Sequence, residues 1–345
     1  MKLSELIQTD LPFVIYKKPD SGIVNIIQQT DSNLYTDASF HREGFYFSPY
    51  DSNQHHVVVF PENSTIQKSY LMQNLEIPLY QTEIQIPVAS DEEQTKHLDK
   101  ITQAIQIIQK EAISKLVISR KQEITVNKFN KFAALIKLMQ RYHHSFVYLW
   151  YHPSIGTWMG VSPELLLELK DNTLNTMALA GTLPATKDEP VSWSLKEIKE
   201  QQFVTDYIVQ KIRPFSSQIQ TGKTRTIFQG ELAHIQTPIT AQIKKEDLPI
   251  LINELHPTPA VCGLPTEKAK KIIRRIENYD RKYYTGFLGM LNKDETSLFV
   301  NLRNMKITNN KLILYIGGGI TKDSIPKNEW SETVIKSKVL LNVVK

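Results

Sequence analysis

Glu197 and Glu200 stand three residues apart in KEIKEQQFV, and Glu329 and Glu332 repeat that spacing in EWSETVIKSK. Both segments read as helices. Residues three apart share a helix face, so each pair sends two carboxylates in one direction. A solvated helix face produces the same spacing. If the fold instead brings the two faces together, four acidic groups converge, and that much buried charge requires a counter-ion. A hard divalent cation on oxygen ligands, Mg²⁺ above all, is the natural one.

Lys115 opens the strand KLVISR, whose alternation puts Lys115, Val117 and Ser119 on one face and Leu116, Ile118 and Arg120 on the other. A lysine there snorkels to solvent, or, aimed into a closed cavity, is desolvated enough to act as a base. Glu164 follows Ser162-Pro163 and precedes the apolar run Leu165–Leu167. A carboxyl beside apolar surroundings tends to hold its proton and can donate it; a turn glutamate looks the same. Gly181-Thr182 ends the strand of MALAGTLPA, and YIGGGIT carries three glycines, Gly317 to Gly319. Such backbone either makes a tight bend or offers its amides to an anion. HPTPAVCGLP surrounds His256 and Ala260 with prolines that stiffen the loop. Arg303 is a lone cation in the apolar stretch FVNLRNMKI, and a buried arginine needs an anionic partner from protein or substrate.

Elements able to position these residues follow from the patterning. Residues 1–90 read as short strands (FVIYKKP, GIVNIIQQ, HHVVVFP, EIQIPV) separated by turns. A helix is expected over Glu92–Ser114, with Leu98, Ile101, Ile105 and Ile108 on one face. A strand at Lys115–Thr125 and a helix at Lys128–Tyr142 come next. Strands follow at Ser145–His152, Gly156–Val161, Leu165–Leu169 and Thr173–Leu179. Val191–Pro214 reads as a long helix and Thr224–Thr240 as extended. Two short helices fall at Asp247–Leu255 and Thr266–Asn278, and a three-strand meander at Tyr283–Ile320. The last helix, Ile325–Leu341, takes Ser324 as N-cap and Pro326 in its first turn. Long strands interrupted by helices without a βαβ rhythm argue for α+β. No linker divides the 345 residues, so one large domain is expected, with residues 1–90 a variable β-rich part and 91–345 the part that bears the motifs.

Bulk composition, 41% hydrophobic and 22% charged, is that of an ordinary globular protein. The 41 basic and 36 acidic residues are dispersed, which argues against nucleic acid as a partner and against phosphoryl transfer on it. One cysteine, Cys262, forms no disulfide within the chain. With no secretory or membrane-spanning signal, a cytoplasmic protein is expected, without membrane contact.

KLVISR, GVSPELLLEL, LAGTLP, KEIKEQQFV, HPTPAVCGLP, DRKYYTGFLG, FVNLRN, YIGGGIT and EWSETVIKSK occur in this order between Lys115 and Lys338. Together they resemble the chorismate-utilising enzyme family, which includes isochorismate, anthranilate, aminodeoxychorismate and salicylate synthases. The resemblance implies two stacked antiparallel sheets with helices outside, Mg²⁺ as cofactor, chorismate as substrate and a monomer. It implies that Glu200 and Glu332 are metal ligands and that Glu197 and Glu329 flank them through metal-bound water. Arg303 and Tyr284 then grip the pyruvyl carboxylate with amides near Gly318 and Gly319. Lys336 lies near the metal-bound carboxylate, and Gly181 and Thr182 lie beside the ring hydroxyl and ring carboxylate. His256 and Ala260 belong to the ligand-shaping loop. Lys115 matches the lysine that activates water in isochorismate and salicylate synthases, with Glu164 as the acid. Ala180 replaces the lysine of aminodeoxychorismate synthases, and Ala260 suits the isochorismate type better than salicylate or anthranilate synthases. The activity implied is therefore isochorismate synthesis, feeding menaquinone or siderophore production, with salicylate synthesis as the alternative; a non-catalytic chorismate binder would share the fold. Two positions depart from the pattern: Gln201 stands where relatives carry histidine, and Arg281-Lys282 where they carry Arg-Gly.

Overall fold

The computed structural model of the protein describes residues 1–76, 90–185, 190–229 and 232–344; the strand expected at EIQIPV lies outside them. The first strands are β1 (Phe13–Lys17), β2 (Ile23–Gln29), β3 (Gly44–Ser48), β4 (Val58–Pro61) and β5 (Thr65–Leu71), followed by helix α1 (Asp91–Lys110). Next come β6 (Lys115–Thr125), α2 (Lys131–Arg141), β7 (Phe146–His152), β8 (Gly156–Ser162), β9 (Leu165–Lys170), β10 (Thr173–Pro184) and α3 (Leu195–Ile212). β11 (Ile219–Thr221), β12 (Arg225–Gln229) and β13 (Leu232–Gln242) lead to α4 (Leu248–Leu255), β14 (Gly263–Leu264) and α5 (Thr266–Glu277). The chain closes with β15 (Phe287–Leu291), β16 (Glu295–Val300), β17 (Asn304–Ile307), β18 (Lys311–Ile320) and α6 (Pro326–Val344).

Strand alternation builds an α+β architecture of two antiparallel sheets. The first runs β14-β6-β18-β17-β8-β7-β1-β2-β5 and the second β11-β13-β10-β9-β16-β15-β3-β4, with β12 on β13. Val14, Tyr16, Tyr148, Trp150 and Trp158 of the first sheet meet Phe45, Phe47, Leu288 and Phe299 of the second in an aromatic layer. Trp150 stacks on Phe47 with ring centres 4.3 Å apart. The intervening Phe13, Ile15, Val147 and Leu149 face the opposite way, against Leu135 and Leu138 of α2 and Leu340 and Val343 of α6. Strand residues two apart share a face, so one sequence feeds both cores. Leu167 and Leu174 of the second sheet are covered by Val204 and Ile208 of α3 and Leu251 of α4. The N-terminal strands complete both sheets, β1, β2 and β5 joining the first and β3 and β4 the second.

Most element ends shift by a few residues from the sequence expectation, and three differences go further. The meander at Tyr283–Ile320 is four strands, and it divides: β15 and β16 belong to the second sheet, β17 and β18 to the first. The crossing between them contains Arg303, whose backbone is left-handed at φ +42°. The stretch expected as one extended segment is the antiparallel pair β12 and β13. Finally, α6 begins at Pro326, and the Ser324 hydroxyl accepts from the Thr321 amide at 3.0 Å.

Candidate active site

α3 packs on β10 and β13 of the second sheet, α6 on β18 of the first. The cavity lies where these meet. β17 pairs with β18 only as far as Tyr315, so the glycine run beyond it has an edge without a strand partner among the described residues. Val117 donates its amide to Cys262 O and Ser119 donates its amide to Glu277, both away from β18. In an antiparallel ladder their partners, Gly319 and Gly317, then also turn their peptide groups away, toward the cavity. Gly318 pairs with Ile118 and is tied into the ladder, so the amides free to meet an anion are those of Gly317 and Gly319, not the 318–319 pair expected. Lys336 Nζ already uses the Gly317 carbonyl at 3.2 Å. A side chain at 319 would collide with Glu200 and sit 3.0 Å from Lys115 Cε, which is why this wall is glycine. Across the cavity, Gly181 (φ +71°) makes a bulge in β10 that shifts its register against β13 between Ala180 and Thr182. Ala180, Gly181 and Thr182 all line the cavity.

Three of the four Glu-x-x-Glu carboxylates border this glycine wall. A Cβ on Gly318 would lie 3.4 Å from Glu332 Oε1 and 3.8 Å from Glu329 Oε2, both on α6. Glu200 of α3 stands beside Gly319 and accepts from Lys115 at 2.9 Å. Glu332 pairs with Lys336 at 2.6 Å, and Glu329 with Lys196 at 2.5 Å. Burial first, then the neighbouring Glu332, raises the Glu329 carboxyl above the ordinary range. Burial opposes the charge of Lys196, yet Glu329, Glu200 and Glu332 outweigh it and raise the ammonium. Glu197 is turned elsewhere: its Oε2 closes a capping box with the amide and hydroxyl of Ser194, so half of its carboxylate serves the start of α3. Among the described residues no three acidic, histidine or cysteine groups are already arranged to hold a metal ion. The donor set is hard oxygen and suits Mg²⁺ in type and place, with lysines occupying three of the four carboxylates.

Glu164 lies in the crossing from β8 to β9, 4% exposed. Burial pushes its carboxyl up to about 8, against the opposing charges of Lys115, Lys336 and Arg303. Lys115, on the β6 face that carries Val117 into the cavity, does not itself line it; its ammonium meets Glu200 beside Gly319 of the first sheet. Arg303 is buried, and burial lowers its guanidinium to about 10, so it remains a cation at neutral pH. Its hydrogen bonds go to neutral groups, Gln229 Oε1 and His234 Nε2, the latter at 2.7 Å. Among the described residues no carboxylate pairs with it. His234 was not singled out from the sequence. Its Nδ1 is 3.2 Å from Gly181 O, an acceptor only, so Nδ1 carries the proton and Nε2 is left to receive Arg303. Burial, then Arg303 and Lys336, hold this imidazole well below its usual pKa and keep it neutral. One histidine thus ties the Arg303 fork to the Gly181 bulge.

A family profile described as chorismate binding enzyme matches residues 50–345. The chain belongs to this family. An isochorismate synthase of Pasteurella multocida is 35% identical over 201 residues, 54% of this chain and 46% of that one. A vibriobactin-specific isochorismate synthase of Vibrio cholerae is 28% identical over 242 residues, 66% of this chain and 61% of that one. The matches thus span about half to three fifths of those relatives' length. The structure of the menaquinone-specific isochorismate synthase of Escherichia coli shares the fold, with a TM-score of 0.83 over 98% of this chain and 90% of that one at 21% identity.

Within the chorismate-binding pattern, the structure accounts for the departures and corrects a further assignment. His256 does not line the cavity; its Nε2 lies 3.0 Å from Thr285 O and its ring meets Phe287 edge-on at 5.0 Å. Burial lowers it to about 4, so it is a neutral donor that holds the segment bearing Tyr284. The proline-rich loop suggested a pocket, and only Ala260 and Val261 of it line this cavity; His256 and Pro257 border a separate one beside Tyr50 and Lys270. Tyr284 lines the cavity and stacks on Tyr315 at 5.6 Å. Gln201 donates to Thr205 at 2.9 Å and Thr237 at 2.6 Å, fastening α3 to β13 rather than meeting a ligand. Arg281 is fully enclosed: it pairs with Glu277 at 2.6 Å and donates to Val117 O and Val261 O, two cavity walls. Lys282 is left-handed at φ +54°, a conformation that favours glycine. Lys282→Gly is therefore expected to stabilise the protein by about 0.5–1 kcal/mol, measured as a higher urea midpoint with unchanged slope.

Proposed function

We propose that the protein is an isochorismate synthase, converting chorismate to isochorismate by attack of water at C2 and loss of the C4 hydroxyl. The observation that carries this reading is an amine, Lys115, set against Glu200 behind the Gly319 wall, together with a carboxyl, Glu164, that lines the cavity and whose pKa of about 8 keeps it protonated at neutral pH. The lysine enters from the first sheet and the acid from the crossing into the second. A displacement that adds water on one side of a ring and expels hydroxide from the other needs a base and an acid so placed. Arg303 supplies the fixed cation for the pyruvyl carboxylate, with the Gly317 and Gly319 amides and Tyr284 beside it. Lys115 takes the proton of the incoming water, and Glu164 gives its proton to the departing oxygen as the double bonds shift.

Charge supports a divalent partner. Four carboxylates (Glu197, Glu200, Glu329, Glu332) stand against two ammonium groups (Lys196, Lys336) and the Arg303 guanidinium, with Lys115 counted as the neutral base. A dianionic substrate adds two negative charges, which Mg²⁺ offsets. Glu200 and Glu332 would hold it, with Glu197 and Glu329 alongside; when bound, Mg²⁺ neutralises the ring carboxylate and orients the ring. The test is a product assay: chorismate and Mg²⁺ should yield isochorismate, and EDTA should stop the reaction. Salicylate and pyruvate as the main products would make the protein a lyase of the same family.

A further inference from the structure

Lys196 has served above only as a countercharge, yet its position is unusual. It lies on the first turn of α3, one residue before Glu197, and its ammonium crosses to Glu329 of α6 at 2.5 Å. The Glu329 side chain is 2% exposed and that of Lys196 only 23%, so both charges are largely withdrawn from water. The two helices belong to different sheets, and this pair joins them directly. Next to it the surface is apolar and open: Leu195 is 73% exposed and Ile198 49%. Glu329 shares with Glu332 the edge of the Gly318 wall. Glu197, the residue after Lys196, is committed to Ser194, and Lys196 takes its own carboxylate partner from α6.

We propose that Lys196 is a tethered counter-ion that competes with the divalent cation for Glu329 and thereby sets the affinity of the site for metal. The proposal rests on the metal reading above. A divalent ion held by Glu200 and Glu332 must approach the Lys196 ammonium closely. Two like charges at such separation in a partly desolvated site repel strongly, so the lysine has to give up Glu329 and swing toward the open mouth. Lys196 is in this sense a positioning residue. It holds α3 to α6 while the carboxylates await a cation, and it is exchanged for that cation on binding.

The test uses the full chain and Mg²⁺ alone. In calorimetric titrations Lys196→Met should bind Mg²⁺ about tenfold more tightly than wild type, and Lys196→Arg, which keeps the charge, should bind like wild type. A second measurement needs no variant. Under limiting reductive methylation, read by peptide mass spectrometry, Lys196 of the wild type should become more reactive when Mg²⁺ saturates the site, because its partner has left. Equal or weaker Mg²⁺ binding by Lys196→Met, or a Lys196 no more reactive with metal bound, overturns the proposal while leaving the metal site standing. A wild type that takes up no Mg²⁺ overturns the metal reading and this inference with it.

Discussion

Glu164→Gln should abolish turnover, lowering kcat by about 10²–10⁴-fold, while calorimetry still detects substrate binding. Glutamine fills the same space but has no proton to give to the departing oxygen. The same reasoning makes wild-type kcat fall as pH rises through about 8, where the Glu164 carboxyl loses its proton. Lys115→Ala should be as severe for the opposite reason, since the attacking water then keeps its proton. Near-normal kcat in either variant would remove the assigned role. Stability carries a second signature of Glu164. Below its ordinary value of 4.5 both folded and unfolded chains hold the proton, and the contribution of this group is complete. Above that the unfolded chain ionises while the folded one stays protonated, so stability falls with rising pH until about 8. Glu164→Gln, which cannot ionise, should therefore gain in urea midpoint over wild type at pH 9, with the gap closing toward pH 4.5.

Much of this site was legible because its residues sit in regular elements with simple periods. The three-residue spacing placed Glu197 with Glu200 and Glu329 with Glu332 on helix faces, and alternation gave Lys115 and Val117 a common side of β6. What periodicity could not supply was the meeting of α3 with α6, which depends on strands hundreds of residues apart pairing in two sheets. Glu197 shows how one signal conceals another. Ser194 precedes it by three, the spacing of a capping box, and that local use competes with any role at a metal. His234 was missed because a lone histidine in the alternating strand LAHIQT resembles an ordinary core residue; only its contacts with Arg303 and Gly181 distinguish it. His256 was overread for the reverse reason, since the prolines around it rigidify a loop whose histidine points at Thr285. The fourth strand of the C-terminal run escaped notice because β17 is only four residues long and its entry turns on a left-handed arginine, which no sequence rule anticipates.

Arg303→Met is expected to lower kcat/KM by about 10²–10³-fold, the cost of removing one partner of an enclosed charge pair, with most of the loss in KM. The reason lies in what the guanidinium touches. Its bonds to Gln229 and His234 orient it without neutralising it. A buried cation left in that condition favours an incoming anion. The pyruvyl carboxylate is unchanged while C2 gains and C4 loses oxygen, so the contact is equally strong in ground and transition states. Interactions of that kind appear in KM rather than kcat. Lysine should not restore the activity, because a point charge cannot reproduce the planar fork held by two neutral acceptors. Mg²⁺ affinity measured without substrate should be unaltered, since Glu200 and Glu332 pair with Lys115 and Lys336, not with Arg303. An Arg303→Met variant with wild-type KM and a depressed kcat would place this arginine at the reacting carbons, and the substrate would then have to lie the other way round in the cavity.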